Sequence, residues 1–250
     1  MLGPVMPDGD RINPYDVKKS AEIYQVRGWG EPYFTVNDAG HVEVRPDSDR
    51  EDRIDLYALT NELEARGLSL PLLIRFSNIL DDRIRRLNQC FGRAIDEYKY
   101  EGVYRGVFPV KVNQQKHLID EVVRYGKPWH FGLEAGSKPE LMIALSAMHK
   151  SDGLIICNGY KDQQYVETAL IAQHFDKTVV VVLERIEELD LVISASERLE
   201  LKPLIGVRAK LGTKGMGRWA ESAGDRAKFG LTSAEIVQVV DALAEHDMLD

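Results

Sequence analysis

The sequence predicts an α/β protein in which strands and helices alternate around a parallel sheet. Three observations predict it. From residue 105 onward, short β-prone runs alternate with helical runs five times. The strand runs, such as Thr178-Val179-Val180-Val181-Val182-Leu183, are continuously apolar, the pattern of strands buried on both faces beneath helices. Polar or charged residues then gather at the end of every one of these strands. Five consecutive units of this kind fit either an open doubly wound sheet or part of a (β/α)8 barrel.

Residues 1–20 are polar and carry no strong pattern. Tyr33 to Val44 alternates around Asn37-Asp38-Ala39-Gly40, which predicts a hairpin. Leu56 to Arg66 has helical periodicity, and Pro71 to Phe76 reads as a strand. Asp81 to Tyr98 reads as an amphipathic helix with Ile84, Leu87, Phe91 and Ile95 on its apolar face. Then come the five units. Strands are expected at Gly106–Val112, Trp129–Leu133, Gly153–Cys157, Thr178–Leu183 and Leu204–Ala209. Helices are expected at Lys116–Tyr125, Lys138–His149, Asp162–Phe175, Ile186–Leu199 and, after a long polar loop, Ser233–Glu245. Ser137 is an N-cap candidate, with Glu140 completing a capping box. The chain divides into an N-terminal segment, 1–104, and a β/α segment, 105–250.

Composition narrows the function. The chain has 250 residues, 44% hydrophobic, which supports a sizeable core. A net charge of -8 without a basic block argues against nucleic-acid binding. No apolar stretch approaches the roughly 20 residues of a membrane span, and Met1 to Asp10 does not resemble a signal peptide. Cys90 and Cys157 are expected to be reduced and buried, as in the cytoplasm. No His/Cys spacing suggests zinc.

Lys111 is the most informative residue. It ends the run Gly106-Val107-Phe108-Pro109-Val110-Lys111, with a polar segment and a helix next. An amine held there can leave water and attack carbonyl groups, as the Schiff-base lysine of a pyridoxal phosphate (PLP) enzyme does. A strand-end lysine reaching solvent explains the run alone equally well. The other strand ends carry Asn113; Glu134 with Ser137; Asn158 with Tyr160 and Lys161; Glu184; and Arg208 with Lys210. In a barrel this is the end that bears the chemistry. Asn113-Gln114-Gln115 is a poor phosphate cradle and no GxGxxG follows the first strand, which disfavours a dinucleotide fold. The glycine-rich Lys210–Arg218 lacks the Walker order and reads as a loop over the barrel mouth.

Longer motifs carry a resemblance. Phe108-Pro109-Val110-Lys111-Val112-Asn113-Gln114, Gly132-Leu133-Glu134-Ala135-Gly136-Ser137-Lys138-Pro139-Glu140-Leu141, Ile156-Cys157-Asn158-Gly159-Tyr160-Lys161-Asp162 and Gly206-Val207-Arg208-Ala209-Lys210-Leu211 resemble the biosynthetic arginine decarboxylases. Arg218-Trp219-Ala220-Glu221-Ser222, Lys228-Phe229-Gly230-Leu231 and the early Trp29-Gly30 fit the same family. The resemblance implies a PLP-binding (β/α)8 barrel of the alanine racemase type, represented here by about five β/α units. The N-terminal segments would belong to a β-rich domain. It implies PLP-dependent decarboxylation of L-arginine to agmatine for polyamine synthesis, with Mg2+ as a further cofactor. It also implies a homo-oligomer whose active site is shared between subunits.

Residue by residue, the resemblance makes Lys111 the PLP lysine and Glu134 its neighbour, setting its protonation and orientation. It places Arg208 in the cofactor environment. Lys228 lies near a subunit interface by the same analogy, or is a surface lysine. The family's stacking histidine, glycine-rich phosphate loop, acidic partner of the pyridine nitrogen and Cys-Asp pair do not occur in these residues. The expectation is therefore the N-terminal part of a longer enzyme. Two other readings stay open: a decarboxylase for lysine, ornithine, diaminopimelate or carboxynorspermidine, and a non-catalytic homologue that binds a decarboxylase subunit as a regulator.

Overall fold

The computed structural model describes residues 16–210 and 229–249. The chain forms two compact units, Met1–Arg83 and Ile84–Asp250. In the first, two short helices, α1 (Val17–Ile23) and α2 (Val26–Gly30), precede an antiparallel sheet of β1 (Phe34–Val36), β2 (Val42–Val44) and β3 (Ile54–Asp55), in that order. The hairpin forms where the Asn37–Gly40 turn predicts it, with Phe34 opposite Val44 and Val36 opposite Val42. The Asn37 carboxamide oxygen accepts from the amides of Ala39 and His41, which closes the turn.

Helix α3 (Leu56–Ala65) starts at Asp55, whose carboxylate accepts from the Ala58 amide. That bond, then the one to His41, pulls the Asp55 carboxyl down to about 2. The strand expected over Pro71–Phe76 does not form. Pro71 has no N–H to give a ladder, and Leu73 stands 79% exposed. Helix α4 (Ser77–Tyr98) follows, with its residues from Ile84 onward in the second unit. Its apolar face is only partly covered: Ile84 is buried, whereas Leu87 and Phe91 are exposed. Cys90 on the same helix is exposed, against expectation, because it falls off the stripe that Ile84 defines.

The second unit holds five parallel strands in sequential order: β4 (Val107–Pro109), β5 (Gly132–Ala135), β6 (Ile155–Cys157), β7 (Val179–Leu183) and β8 (Leu204–Val207). Helices α5 (Lys116–Gly126), α6 (Lys138–Ala147), α7 (Gln163–Ile171) and α8 (Glu188–Leu199) connect them, and α9 (Ser233–Glu245) comes last. Sequential order with a helix in every crossover is the winding of a barrel wall. The core lies between sheet and helices, where Leu133, Leu141, Met148, Ile155, Val166, Leu183 and Val192 are fully buried.

Burial differs along the arc. All four residues of β5 are buried, but β7 buries Val179, Val181 and Leu183 and leaves Val180 and Val182 half-exposed. Leu204 and Val207 of β8 are exposed. The apolar run of β7 predicts two covered faces, and helices cover one of them.

Several boundaries move for local reasons. The first strand stops at Pro109 and yields to a 3-10 turn over Val110–Val112. The second starts three residues late, because Pro128 initiates a 3-10 turn and His130 adopts a left-handed backbone. Ser137 precedes α6 but its side chain caps nothing, and Glu140 accepts instead from the amide of Gly136. A complete capping box forms at α9, between Thr232 and Glu235. No helix among the described residues is long and apolar enough to cross a membrane.

Candidate active site

The strand ends of the second unit bring polar side chains together in two clusters. The first joins β4 to β5. Val110 is fully buried and pins the 3-10 turn, which turns Lys111 outward at the strand's end. The Lys111 ammonium lies 4.0 Å from Glu134 Oε1, with the lysine side chain 65% exposed and the carboxylate 6%. Glu134 ends the paired stretch of β5 opposite Pro109. Asn158, just past β6, donates to Glu134 Oε1 at 3.1 Å. Glu134 Oε2 is buried with no hydrogen-bond partner among the described residues. A buried carboxylate oxygen left unpaired costs free energy until a donor or cation reaches it.

The corner beneath is closely built. The Glu140 carboxylate accepts from Gly136 N and from the Gln114 carboxamide, which ties α6 to the segment after Lys111. Tyr165 Oη lies 2.8 Å from Ala135 O and locks α7 to the end of β5. Burial pushes the Tyr165 hydroxyl well above its ordinary range, so it stays a donor. Gly159 has φ +74, and a Cβ there would lie 2.2 Å from Gly136 O. Only glycine lets the loop after β6 come so close to the loop after β5.

The second cluster joins β7 to β8. Arg208 Nη1 donates to Glu184 Oε1 at 2.9 Å, and its guanidinium carbon lies 5.7 Å from the Phe229 ring centroid. Glu184 is 7% exposed at its side chain and Arg208 52%. One guanidinium nitrogen is thus occupied, and the half-exposed group makes no other side-chain hydrogen bond among the described residues, which leaves donors that can take a phosphate or carboxylate.

The structure therefore pairs Lys111 with Glu134, whereas Arg208 takes Glu184 as its partner. Lys228 and all of the Lys210–Arg218 loop except Lys210 lie outside the described residues. Lys161, grouped with the mouth residues by its position after β6, is wholly buried and paired with Glu188. Sequence reasoning missed Glu188 and read Glu140 only as the capping partner of Ser137. Each sits in the first turn of a helix and accepts from the backbone amide just past the preceding strand, Gly136 after β5 and Glu184 after β7.

Asp47, Asp49 and Asp82 form an acidic group in the first unit. Asp82 already accepts from Tyr33 Oη and Ser48 Oγ, so these hydrogen bonds account for its burial and give magnesium no assigned place. A cavity of about 870 Å3 opens at the other ends of β5, β6 and β7, beside Lys127, His130, Lys150 and Lys177. His130 there pairs with Asp152, and Lys177 donates to two carbonyls, so these two side chains serve the wall.

Residues 82–250 match the family described as "Pyridoxal-dependent decarboxylase, pyridoxal binding domain". The chain belongs to the pyridoxal-dependent decarboxylases. The biosynthetic arginine decarboxylase of Nostoc sp. is 58% identical to it over 249 residues, which are 100% of this chain and 37% of that protein. Among solved structures, the biosynthetic arginine decarboxylase of Campylobacter jejuni superposes with a TM-score of 0.77 at 32% identity, covering 90% of this chain and 36% of that one. Diaminopimelate decarboxylase from M. jannaschii in complex with L-lysine shares the fold, with a TM-score of 0.64, 17% identity, and coverage of 88% and 46%. The chain thus spans about a third of the length of the arginine decarboxylases it matches. Its five parallel β/α units form part of the family's barrel.

The cluster around Lys111 fits PLP. It offers an exposed primary amine beside a buried carboxylate that has an unused oxygen. Amine and carboxylate together can hold and pass one proton.

Proposed function

We propose that this chain is the N-terminal portion of a PLP-dependent decarboxylase that converts L-arginine to agmatine and carbon dioxide in polyamine biosynthesis. The observation that carries the chemistry is Lys111 Nζ at 4.0 Å from the buried Glu134 carboxylate. Similarity to arginine decarboxylases over the whole chain supports the substrate.

In this reading Lys111 is the covalent attachment point for PLP, and Arg208 is part of its electrostatic surroundings. Bound there, PLP supplies an electron sink for the pair of electrons that departing carbon dioxide leaves behind. The rest is the work of this chain's residues. Lys111 Nζ must lose a proton before it can attack a carbonyl, and Glu134, 4.0 Å away, can receive it once the exposed lysine side chain closes to hydrogen-bond distance. Asn158 fixes Glu134 Oε1, the oxygen that lies 4.0 Å from Lys111 Nζ. Arg208, held by Glu184 on one edge, presents its remaining N–H groups to an anionic group. Lys228 belongs to a subunit interface in the same reading, within a homo-oligomer that shares its active site. The division at residues 104 and 105, with the earlier segment joining a β-rich domain, is retained as part of it. A cytoplasmic location is supported by two cysteines that stand free.

The test uses the polypeptide at its natural length, loaded with PLP, and measures carbon dioxide release from L-arginine, L-lysine, L-ornithine and meso-diaminopimelate. Arginine is expected to lead the others by at least about tenfold in kcat/KM, a gap of about 1.4 kcal/mol. A different leader would overturn the substrate, and no release from any of them would overturn the activity.

A further inference from the structure

Lys161 and Glu188 are both buried, yet neither hydrogen-bonds to Lys111, Glu134 or Arg208. Lys161 Nζ donates to Gly159 O at 2.7 Å and to Glu188 Oε2 at 3.1 Å. The same Glu188 Oε2 accepts from the backbone amide of Glu184 at 2.9 Å. Glu188 Oε1 is buried and unpartnered among the described residues. A buried ion pair with an unpaired oxygen is a poor stabiliser, since desolvation consumes most of the attraction. An apolar pair of equal volume would hold the core as well or better. Stability alone therefore gives no reason for a polar pair at these positions.

Geometry gives one. Glu184 is held at every polar group the structure describes for it. Its amide is fixed by Glu188, its carbonyl accepts from Gly230 N at 2.9 Å, and its Oε1 carries Arg208. The corner after β5 supplies a control. There the Glu140 carboxylate holds the Gly136 amide in the same way, but its second partner is the neutral Gln114 at 3.3 Å. The buried cation is thus found where the strand-end glutamate bears an arginine.

We propose that Lys161 and Glu188 are positioning residues, which set the direction of the Arg208 guanidinium by locking the backbone of Glu184. The inference rests on the reading of Arg208 as part of the PLP site. Lys161 fixes the Glu188 carboxylate, Glu188 fixes the Glu184 amide, and the Glu184 side chain then has one position from which to hold Arg208. The guanidinium is half-exposed and makes one side-chain hydrogen bond among the described residues, so its aim depends on that partner.

Two variants of the polypeptide at its natural length separate positioning from stability. Glu188→Gln keeps an oxygen for the Glu184 amide but leaves the Lys161 charge buried and unbalanced. The double variant Lys161→Met with Glu188→Leu removes both charges and the acceptor. Three quantities are read: thermal midpoint, hydrogen exchange of the Glu184 amide, and PLP affinity from the cofactor's absorbance. Glu188→Gln is expected to lower the midpoint, yet keep Glu184 exchange and PLP affinity within about twofold of the parent. The double variant is expected to regain the midpoint while exchange quickens and PLP affinity falls, each by about tenfold, as loss of a hydrogen bond to a charged acceptor implies. PLP affinity that follows the midpoint across both variants would overturn the proposal. So would unchanged Glu184 exchange in the double variant. A parent that takes up no PLP, while exchange follows the expected order, would refute the cofactor reading of Arg208 and uphold the lock on Glu184.

Discussion

The outer and inner strands of the five-stranded arc build the site differently. The cations stand at the outer strands: Lys111 just after β4 and Arg208 just after β8, with side chains 65% and 52% exposed. The carboxylates that face them stand at the inner strands: Glu134 on β5 and Glu184 after β7, only 6% and 7% exposed. Each outer cation reaches sideways to the neighbouring buried anion. Inner strands have a sheet neighbour on both sides and a helix behind, so their end groups are fixed by packing. The acceptor side of the chemistry is therefore buried, and the cations reach it from the neighbouring strands.

Changes to the inner strands test that contrast most strongly. Leu133→Ala empties a fully buried site beside Glu134 and is expected to cost about 2–5 kcal/mol in chemical denaturation. A loss under about 1 kcal/mol would mean the inner wall is looser than its burial implies. Glu134→Gln keeps the shape but removes the proton acceptor. Covalent attachment of PLP to Lys111 should then slow by about a hundredfold, while the melting point moves little. Attachment at the parental rate would show that Lys111 needs no carboxylate.

Smaller effects sharpen the picture. Tyr165→Phe removes the hydroxyl between α7 and the end of β5, at an expected cost of about 1 kcal/mol in urea titrations. Cys157 on β6 offers a pH signature. Burial pushes its thiol from 9.0 up to about 11, so folding favours the neutral form. That contribution is whole below pH 9.0 and disappears as pH rises through about 11. Cys157→Ala should therefore flatten the fall in stability between those values, and an unchanged slope would show that the thiol titrates as it does in water. At neutral pH iodoacetamide should label the exposed Cys90 and spare Cys157 until the chain unfolds.

Much of the site was legible in the chain. Continuous apolar runs with polar ends announced five parallel strands, and Lys111, Glu134, Glu184 and Arg208 all lie where those runs end. These signals are local, so a sequence carries them. Lys161 was not legible as a core residue, because its burial depends on Glu188, 27 positions away. The capping box failed at Ser137 because Glu140 had a stronger demand to meet at the Gly136 amide, and it formed at Thr232. Pro71–Phe76 has the composition of a strand, but a strand also needs a partner with free amides and carbonyls, which composition does not specify.

The most direct test of the central claim is chemical. The protein is incubated with PLP at its natural length, reduced with borohydride, digested and mapped by mass. A pyridoxyl adduct on the peptide that contains Lys111, lost in Lys111→Ala, is the predicted result. An adduct that forms at another lysine and persists in Lys111→Ala would contradict the assignment of Lys111 and the reading of its pairing with Glu134.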